Sequence, residues 1–154
     1  MANQPVKPKR ILIVDDEATL VFFLKQGFQE TDSNYRVDVA PSGEEALTKL
    51  TYNRYDLLIT DLKMPGISGF TLVEVARSLH PHIKIILMTA FGSKDVLNEA
   101  KNLQVDGYLT KPFPTAKLQA MADNILNGEG VNNQDLFTNH SVTLEKKVKE
   151  SQTM

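Results

Sequence analysis

The sequence predicts a doubly wound α/β domain, in which helices cover both faces of a five-stranded parallel sheet. Short apolar runs of strand length alternate along the chain with longer segments of helical periodicity. This strict alternation favours parallel strands joined by helical crossovers. We expect the strand order 2-1-3-4-5, which brings the carboxyl ends of strands one and three together at the switch point of the sheet.

The predicted strands are short and mostly apolar. They are Ile11–Val14, a segment in which Tyr35, Val37 and Val39 alternate with polar residues, Leu57–Thr60, Ile83–Met88 and Gly107–Thr110. The alternating segment is typical of an edge strand, whereas Ile83–Met88 is the most apolar run and is expected to be buried on both faces.

The predicted helices follow each strand in turn. They are Ala18–Glu30, a helix opened by Ser42 at capping-box spacing, a helix around Phe70–Leu79, one capped by Ser93 that runs to about Leu103, and Thr115–Leu126. In the first helix, Leu20, Phe23, Leu24 and Phe28 are predicted to form the buried face.

Length and composition indicate one domain with a tail. The 154 residues divide into a flexible N-terminus over 1–8, a domain over 9–127, and a linker with a polar C-terminal tail over 128–154. The net charge of −2 and the short basic cluster at Lys7, Lys9 and Arg10 do not indicate a nucleic-acid partner.

The composition also limits the cellular location and the kinds of disulfide or metal chemistry that the protein can have. The chain has no cysteine, which excludes disulfides and thiolate metal sites and fits a reducing compartment. No apolar run approaches the roughly 18–20 residues of a membrane span, and Ile11–Val14 is too short for the core of a signal peptide. We therefore expect no membrane partner and a cytoplasmic location.

Three carboxylates are expected at one edge of the sheet. Asp15 and Asp16 follow the first strand, and Asp61 follows the third. Carboxylates gathered at a switch point repel one another unless a cation or a proton intervenes. Hard oxygen ligands with water in the remaining positions are typical of a Mg²⁺ site.

Two further residues at the same edge extend this chemistry. Thr89 ends the fourth strand and Lys111 ends the fifth, so a hydroxyl and an ammonium would face the acids. Together with Mg²⁺ they suit a phosphoryl group, whose oxygens need neutralising charge and hydrogen-bond donors. Asp61, in the centre, could attack phosphorus as a nucleophile and form an acyl phosphate.

In these residues the chain resembles the receiver domain of two-component response regulators, a flavodoxin-like fold. The matching segments, in order and with the family's spacing, are Ile-Leu-Ile-Val-Asp-Asp-Glu at 11–17, Leu-Leu-Ile-Thr-Asp-Leu-Lys-Met-Pro-Gly at 57–66 with Ser68-Gly69, Met-Thr-Ala at 88–90, and Lys-Pro-Phe at 111–113. The resemblance covers roughly Lys9 to Leu126.

The resemblance implies a role for each site residue. Asp61 would be the phosphoacceptor. Asp16, Asp61 and the backbone carbonyl of Lys63 would bind Mg²⁺ directly, and Asp15 would act largely through a bound water. The donor would be a histidine kinase or a histidine phosphotransfer protein.

The resemblance also implies a switch. The Thr89 hydroxyl would shift toward the phosphoryl group and Lys111 would pair with it, each gaining a partner that it lacks before phosphorylation. Tyr108 matches the family's aromatic switch residue, which turns inward when the hydroxyl moves. The Lys111–Pro112 peptide would be cis.

We expect the fourth helix, fifth strand and fifth helix to present a phosphorylation-dependent surface for another protein. Ala90, Val96, Tyr108, Lys111 and Lys117 are its expected residues. Phe91, two residues after Thr89, could screen the acyl phosphate from water, which predicts a long-lived phosphoryl group.

Other functions fit the residues less well. A phosphatase of the haloacid dehalogenase type needs an acid where Lys63 stands, and acids after strand one would repel the phosphate of a flavin. The chain is thus expected to be a signalling protein that catalyses only its own phosphotransfer and autodephosphorylation. We expect a stand-alone, single-domain response regulator that acts by protein contact. The alternatives are a phosphorelay shuttle and a receiver fragment of a longer transcriptional or enzymatic regulator.

Overall fold

The computed structural model describes residues 7–31, 34–90 and 92–128. Five strands alternate with five helices in these ranges: β1 Lys9–Val14, α1 Ala18–Thr31, β2 Tyr35–Ala40, α2 Gly43–Tyr52, β3 Leu57–Asp61, α3 Gly69–Leu79, β4 Lys84–Thr89, α4 Lys94–Asn102, β5 Gly107–Thr110 and α5 Thr115–Asn127. The expectations for residues 1–6, for Phe91 and for the tail beyond Gly128 lie outside the described residues.

The strands form one parallel sheet in the order β2-β1-β3-β4-β5, which confirms the predicted topology. Three strands have boundaries that differ slightly from the prediction. The first strand begins at Lys9, two residues before its predicted start. Asp61 is the last residue of β3 instead of the first residue after it, because it still pairs with Met88 of β4. In the fourth strand, pairing begins at Lys84 and continues to Thr89, one residue later than predicted at each end.

The register aligns the carboxyl ends of the strands. Val14 of β1 pairs with Thr60 of β3, so Asp15 and Asp61 each come one position after a residue of this pair. On the other side of β3, Asp61 pairs with Met88, and Thr89 pairs with Thr110 of β5. The acids and the candidate phosphate-binding residues therefore lie along one edge of the sheet, as predicted.

Each face of the sheet is covered by a separate apolar core. Alternate residues of the central strands point to opposite faces, as strand geometry requires. Leu12, Leu58 and Leu87 face the core covered by α2, α3 and α4. Ile13, Ile59 and Met88 face the core covered by α1 and α5. Every residue of β3 is buried, and so is every residue of β4 after Lys84.

The buried face of α1 differs from the prediction at two residues, Val21 and Phe23. Val21, Leu24 and Phe28 are buried, at the spacing of one helical stripe. Phe23 lies on the flank of that stripe and is 58% exposed, so its predicted inward position is wrong. Its ring packs edge to face on Phe22, with the ring centroids 5.6 Å apart.

Serine residues cap three of the helices. The hydroxyls of Ser42, Ser68 and Ser93 accept hydrogen bonds from backbone N–H groups in the first turns of α2, α3 and α4. Pro114 is the N-cap of α5 with extended backbone angles, so that helix begins at Thr115 as the sequence predicted.

A polar cluster ties β1 and β2 to the segment between α2 and β3, at the far end of the sheet. The Tyr55 hydroxyl donates a hydrogen bond of 2.6 Å to Asp38, and the Arg10 guanidinium donates one of 3.3 Å to the same carboxylate oxygen. Arg10 also lies over the Tyr55 ring, 5.0 Å from its centroid. Burial of Tyr55 and its hydrogen bond to Asp38 both raise the pKa of the Tyr55 hydroxyl.

Across residues 7–31, 34–90 and 92–128, no helix has both the length and the apolar character that a transmembrane span requires.

The close approach of α3 to β3 predicts a specific intolerance at Gly69. A Cβ atom there would lie 2.2 Å from the Asp61 carbonyl oxygen and 2.8 Å from the Leu62 Cα, and backbone atoms cannot turn aside. We expect Gly69→Ala to lower the free energy of unfolding by about 1–3 kcal/mol in urea denaturation. Gly27→Ala is the control, because its Cβ would meet only the mobile amide end of Gln119; an equal loss in both variants would contradict the prediction.

The raised pKa of Tyr55 predicts a pH-dependent contribution to stability. Because the folded state holds the phenol proton more tightly than the unfolded state, this contribution is complete below about pH 10 and is lost as pH rises further. We expect Tyr55→Phe to cost about 1 kcal/mol at neutral pH, and the gap to wild type to narrow at alkaline pH. Tyr52→Phe, at an 81% exposed residue, is the control and should match wild type at every pH.

Candidate phosphoryl-transfer site

Backbone pairing holds the acid-bearing ends of the strands in place. The Asp15 N–H donates to the Ala40 carbonyl and the Leu62 N–H donates to the Met88 carbonyl, so the sheet pairing continues past the acids. The Asp15 carboxylate accepts a 2.9 Å hydrogen bond from the Glu17 N–H, which turns the chain from β1 into α1. The two acids are thus fixed by the fold and not by flexible loops.

Asp15, Asp16 and Asp61 form one carboxylate cluster. One oxygen from each lies within 4.8 Å of the others. Asp15 and Asp61 are buried, at 1% and 7% exposure, whereas Asp16 is open to solvent. A hard divalent cation suits this oxygen donor set, and the exposed side leaves room for water ligands. The residues present therefore fit a Mg²⁺ ion.

Lys111 reaches into this cluster from the end of β5. Its ammonium group donates to Asp15 at 2.6 Å, to Asp61 at 3.0 Å and to Glu17 at 3.3 Å. The expectation that Lys111 lacks a partner before phosphorylation is therefore wrong. A buried ammonium needs opposite charge nearby, and the carboxylates already at this edge provide it.

Burial and pairing act in opposite directions on these groups. Desolvation raises the pKa of Asp15, and the hydrogen bond from Lys111 lowers it only in part, so the net shift is upward. Burial alone would lower the pKa of Lys111, but its bonds to Asp15 and Asp61 outweigh that effect and raise it. Lys111 is therefore a permanent cation at physiological pH.

Thr89 and Lys63 lie where the sequence placed them. Thr89 is the last residue of β4, is 1% exposed, and its carbonyl accepts a 2.8 Å hydrogen bond from the Lys111 N–H. The Lys63 N–H donates to the Asp61 carboxylate at 3.3 Å, which turns the chain back over the acid. The Lys111–Pro112 peptide is cis, as the resemblance implied.

Tyr108 is buried in the core beneath α4. It is 5% exposed and belongs to the cluster that contains Leu87, Ala100 and Val105. In this structure the ring therefore adds nothing to the expected surface of α4, β5 and α5, where Ala90 and Lys117 are exposed and Val96 is half-buried. Lys111 is also turned toward the acids and away from that surface.

Sequence reasoning missed the role of Glu17. Its side chain, 63% exposed, forms the rim of the site and shares the Lys111 ammonium with Asp15 and Asp61. Its position directly after the two aspartates was the available signal, because a third acid there also lies close to the carboxyl end of β1.

This arrangement has the parts needed for phosphoryl transfer to a carboxylate. An Asp61 carboxylate oxygen that could act as a nucleophile lies beside a fixed cation, and the neighbouring acids could hold a second, divalent one. Positive charge on both sides of a transferred phosphoryl group would offset the charge on its oxygens.

Comparisons with known proteins agree with this reading. The family described as the response regulator receiver domain matches residues 11–123. Sporulation initiation phosphotransferase F of Bacillus subtilis is 33% identical over 105 residues, which cover 68% of this chain and 83% of that protein. Several transcriptional regulatory proteins also match, among them RprY of Bacteroides fragilis, at 33% identity over 117 residues; the chain spans about half the length of these relatives.

Solved structures show the same fold. A CheY-like receiver domain protein from Methanospirillum hungatei superposes with a TM-score of 0.72 at 30% identity, covering 80% of this chain and 100% of that one. The response regulator TrrA from Thermotoga maritima, solved in complex with Mg²⁺ and BeF, is 38% identical with a TM-score of 0.67, covering 77% and 99%. The chain therefore belongs to the response regulator receiver domain family of two-component signal transduction.

Proposed function

We propose that the protein is a phosphorylation-activated switch whose phosphoacceptor is Asp61. The observation that carries this proposal is the position of the Asp61 carboxylate, 7% exposed, 3.0 Å from the Lys111 ammonium and within one cluster with Asp15 and Asp16. As in its family, the phosphoryl group would come from a histidine kinase or a histidine phosphotransfer protein. An Asp61 oxygen attacks phosphorus, the bond from phosphorus to the donor nitrogen breaks, and the nitrogen keeps the electron pair.

Mg²⁺ is the proposed cofactor. Asp16, Asp61 and the Lys63 carbonyl would hold it directly, and Asp15 would hold it through water. When bound, the ion supplies positive charge that offsets the charge of the phosphoryl oxygens. Asp15 is buried, and its carboxylate oxygens already accept hydrogen bonds from Lys111 and from the Glu17 N–H. This favours an indirect role for Asp15, in which it holds the ion through water.

The switch itself would start at Lys111. Phosphorylation adds about −1.5 to −2 charge at Asp61, and Lys111 must then divide its hydrogen bonds between the new oxygens and its present carboxylate partners. The Thr89 hydroxyl would move toward the same oxygens. Tyr108 belongs to β5, the strand directly before Lys111, and its ring packs beneath α4. It would therefore respond to a movement of Lys111. Such differential contacts shift the population between two arrangements.

The proposed output is contact with another protein through the surface of α4, β5 and α5. The match to most of the length of a phosphotransferase favours a receiver that acts by itself, for example as a shuttle. The matches to half of several transcriptional regulators favour the second candidate, a receiver module of a longer regulator. In both cases the domain would catalyse only its own phosphotransfer and autodephosphorylation, and the cytoplasm stays the predicted location.

Substitution of the phosphoacceptor tests the proposal directly. We expect Asp61→Asn to abolish phosphoryl uptake from acetyl phosphate in the presence of Mg²⁺, because the amide is not a nucleophile. Intact-protein mass spectrometry would measure the mass added by one phosphoryl group. Asp95→Asn on the first turn of α4 is the matched control and should be phosphorylated like wild type. Phosphoryl uptake by Asp61→Asn at another residue would overturn the assignment.

Removal of the Lys111 ammonium should make stability depend on Mg²⁺. With the cation gone, the buried Asp15 and Asp61 carboxylates lose their partner, which typically costs about 3–5 kcal/mol. We expect Lys111→Met to melt well below wild type without metal and to recover more stability than wild type when Mg²⁺ is added. Lys117→Met, at an exposed lysine on α5, is the control. Equal Mg²⁺ responses in all three proteins would contradict the electrostatic account.

A further inference from the structure

The loop between β3 and α3, residues 62–68, carries the Lys63 carbonyl and runs beside Asp61. Its base is closed by the chain itself. The Gly69 N–H donates to the Leu62 carbonyl at 3.0 Å, and the Lys63 N–H donates to the Asp61 carboxylate. The far side of the loop extends away from the sheet edge toward the first turn of α2.

The side chain of Glu44 reaches this far side. One carboxylate oxygen accepts a 3.1 Å hydrogen bond from the Ile67 N–H, across 23 residues of sequence. The same oxygen lies over Gly66, where a Cβ atom would be only 2.3 Å away. Gly66 also has a φ of 84°, a conformation that favours glycine. The loop conformation and the Glu44 carboxylate therefore fit each other at Gly66.

The backbone of α2 supports the same contact. A Cβ atom at Gly43 would lie 2.8 Å from the Ile67 Cβ and 2.9 Å from its carbonyl oxygen, so the first turn of α2 abuts the loop directly. Ser42 caps this turn and fixes where α2 begins. Glu44 thus extends from a rigid helix end, and its hydrogen bond transmits the position of α2 to the loop.

The geometry points to Glu44 as a positioning residue that sets the Mg²⁺ affinity of the site by holding the β3–α3 loop. This inference rests on the proposed function, in which the Lys63 carbonyl is a ligand. Glu44 touches neither the acids nor the phosphoryl group. It acts on the loop, because an ordered carbonyl loses less conformational freedom when it binds an ion than a mobile one does.

The linkage is reciprocal. If Glu44 favours the conformation of the loop that binds metal, then metal must equally favour the bond between Glu44 and Ile67. The Ile67 amide proton therefore reports on the contact without any phosphoryl transfer. Its exchange with solvent should slow when Mg²⁺ is added to wild type, and should be faster and less sensitive to Mg²⁺ when the carboxylate is removed.

Three variants of the full chain test the inference. Glu44→Ala removes the acceptor, Glu44→Gln keeps an oxygen acceptor without the charge, and Glu45→Ala removes a neighbouring acid from the same turn of α2. The Mg²⁺ Kd of each unphosphorylated protein would be measured by calorimetry, and Ile67 amide exchange by NMR. We expect Glu44→Ala to weaken Mg²⁺ binding about two- to tenfold, the equivalent of one hydrogen bond. Glu44→Gln should recover most of the affinity, and Glu45→Ala should match wild type.

The outcomes separate this inference from the proposed function. A Glu44→Ala protein with the Mg²⁺ Kd of wild type would overturn the positioning role, even if Ile67 exchange became faster. Equal weakening by Glu45→Ala would also overturn it, because general loss of charge near α2 would then be the cause. If wild type binds Mg²⁺ but takes up no phosphoryl group from acetyl phosphate, the proposed function is wrong. The positioning role of Glu44 is not affected by that outcome.

Discussion

The site depends on one buried ion pair, in which the Lys111 ammonium lies between the carboxylates of Asp15 and Asp61. Without that cation, two carboxylates at the carboxyl ends of neighbouring strands would face each other in a poorly solvated position. With it, the cluster is stable and also ready for chemistry, because the charge that neutralises the acids is the charge that a phosphoryl group on Asp61 would need. The same contact therefore stabilises the fold and, in the proposed function, would also stabilise the transferred phosphoryl group.

The parallel sheet makes this ion pair possible. Asp15 and Asp61 come from the neighbouring strands β1 and β3, and Lys111 arrives from β5 past the end of β4. Helices within one layer differ in how firmly they are tied to the sheet. In the described ranges α3 buries four residues, whereas α4 buries Ala100 alone. A helix with few buried contacts costs little free energy to move, which suits α4 to respond to changes at Lys111.

Much of this could be predicted from the sequence. The alternation of apolar runs with helical segments predicted the fold class and left few strand orders. Among them, 2-1-3-4-5 is an order that brings the ends of strands one and three together. The sequence predicted that Asp15, Asp16 and Asp61 lie close together, because the carboxyl ends of parallel strands meet at the same edge of the sheet. The serine caps at positions 42 and 93 could also be predicted, because a helix cap depends on the residues immediately around it.

Other features were decided by tertiary packing. The sequence placed Phe23 inward, but the exact rotation of α1 on the sheet selects Val21, Leu24 and Phe28 and leaves Phe23 exposed. The three partners of Lys111, and the reach of Glu44 to Ile67, depend on distances between residues far apart in the chain. Periodicity and motif spacing determine which elements form and which ends meet. Which side-chain atoms touch depends on how those elements settle against one another, and only the folded structure specifies that.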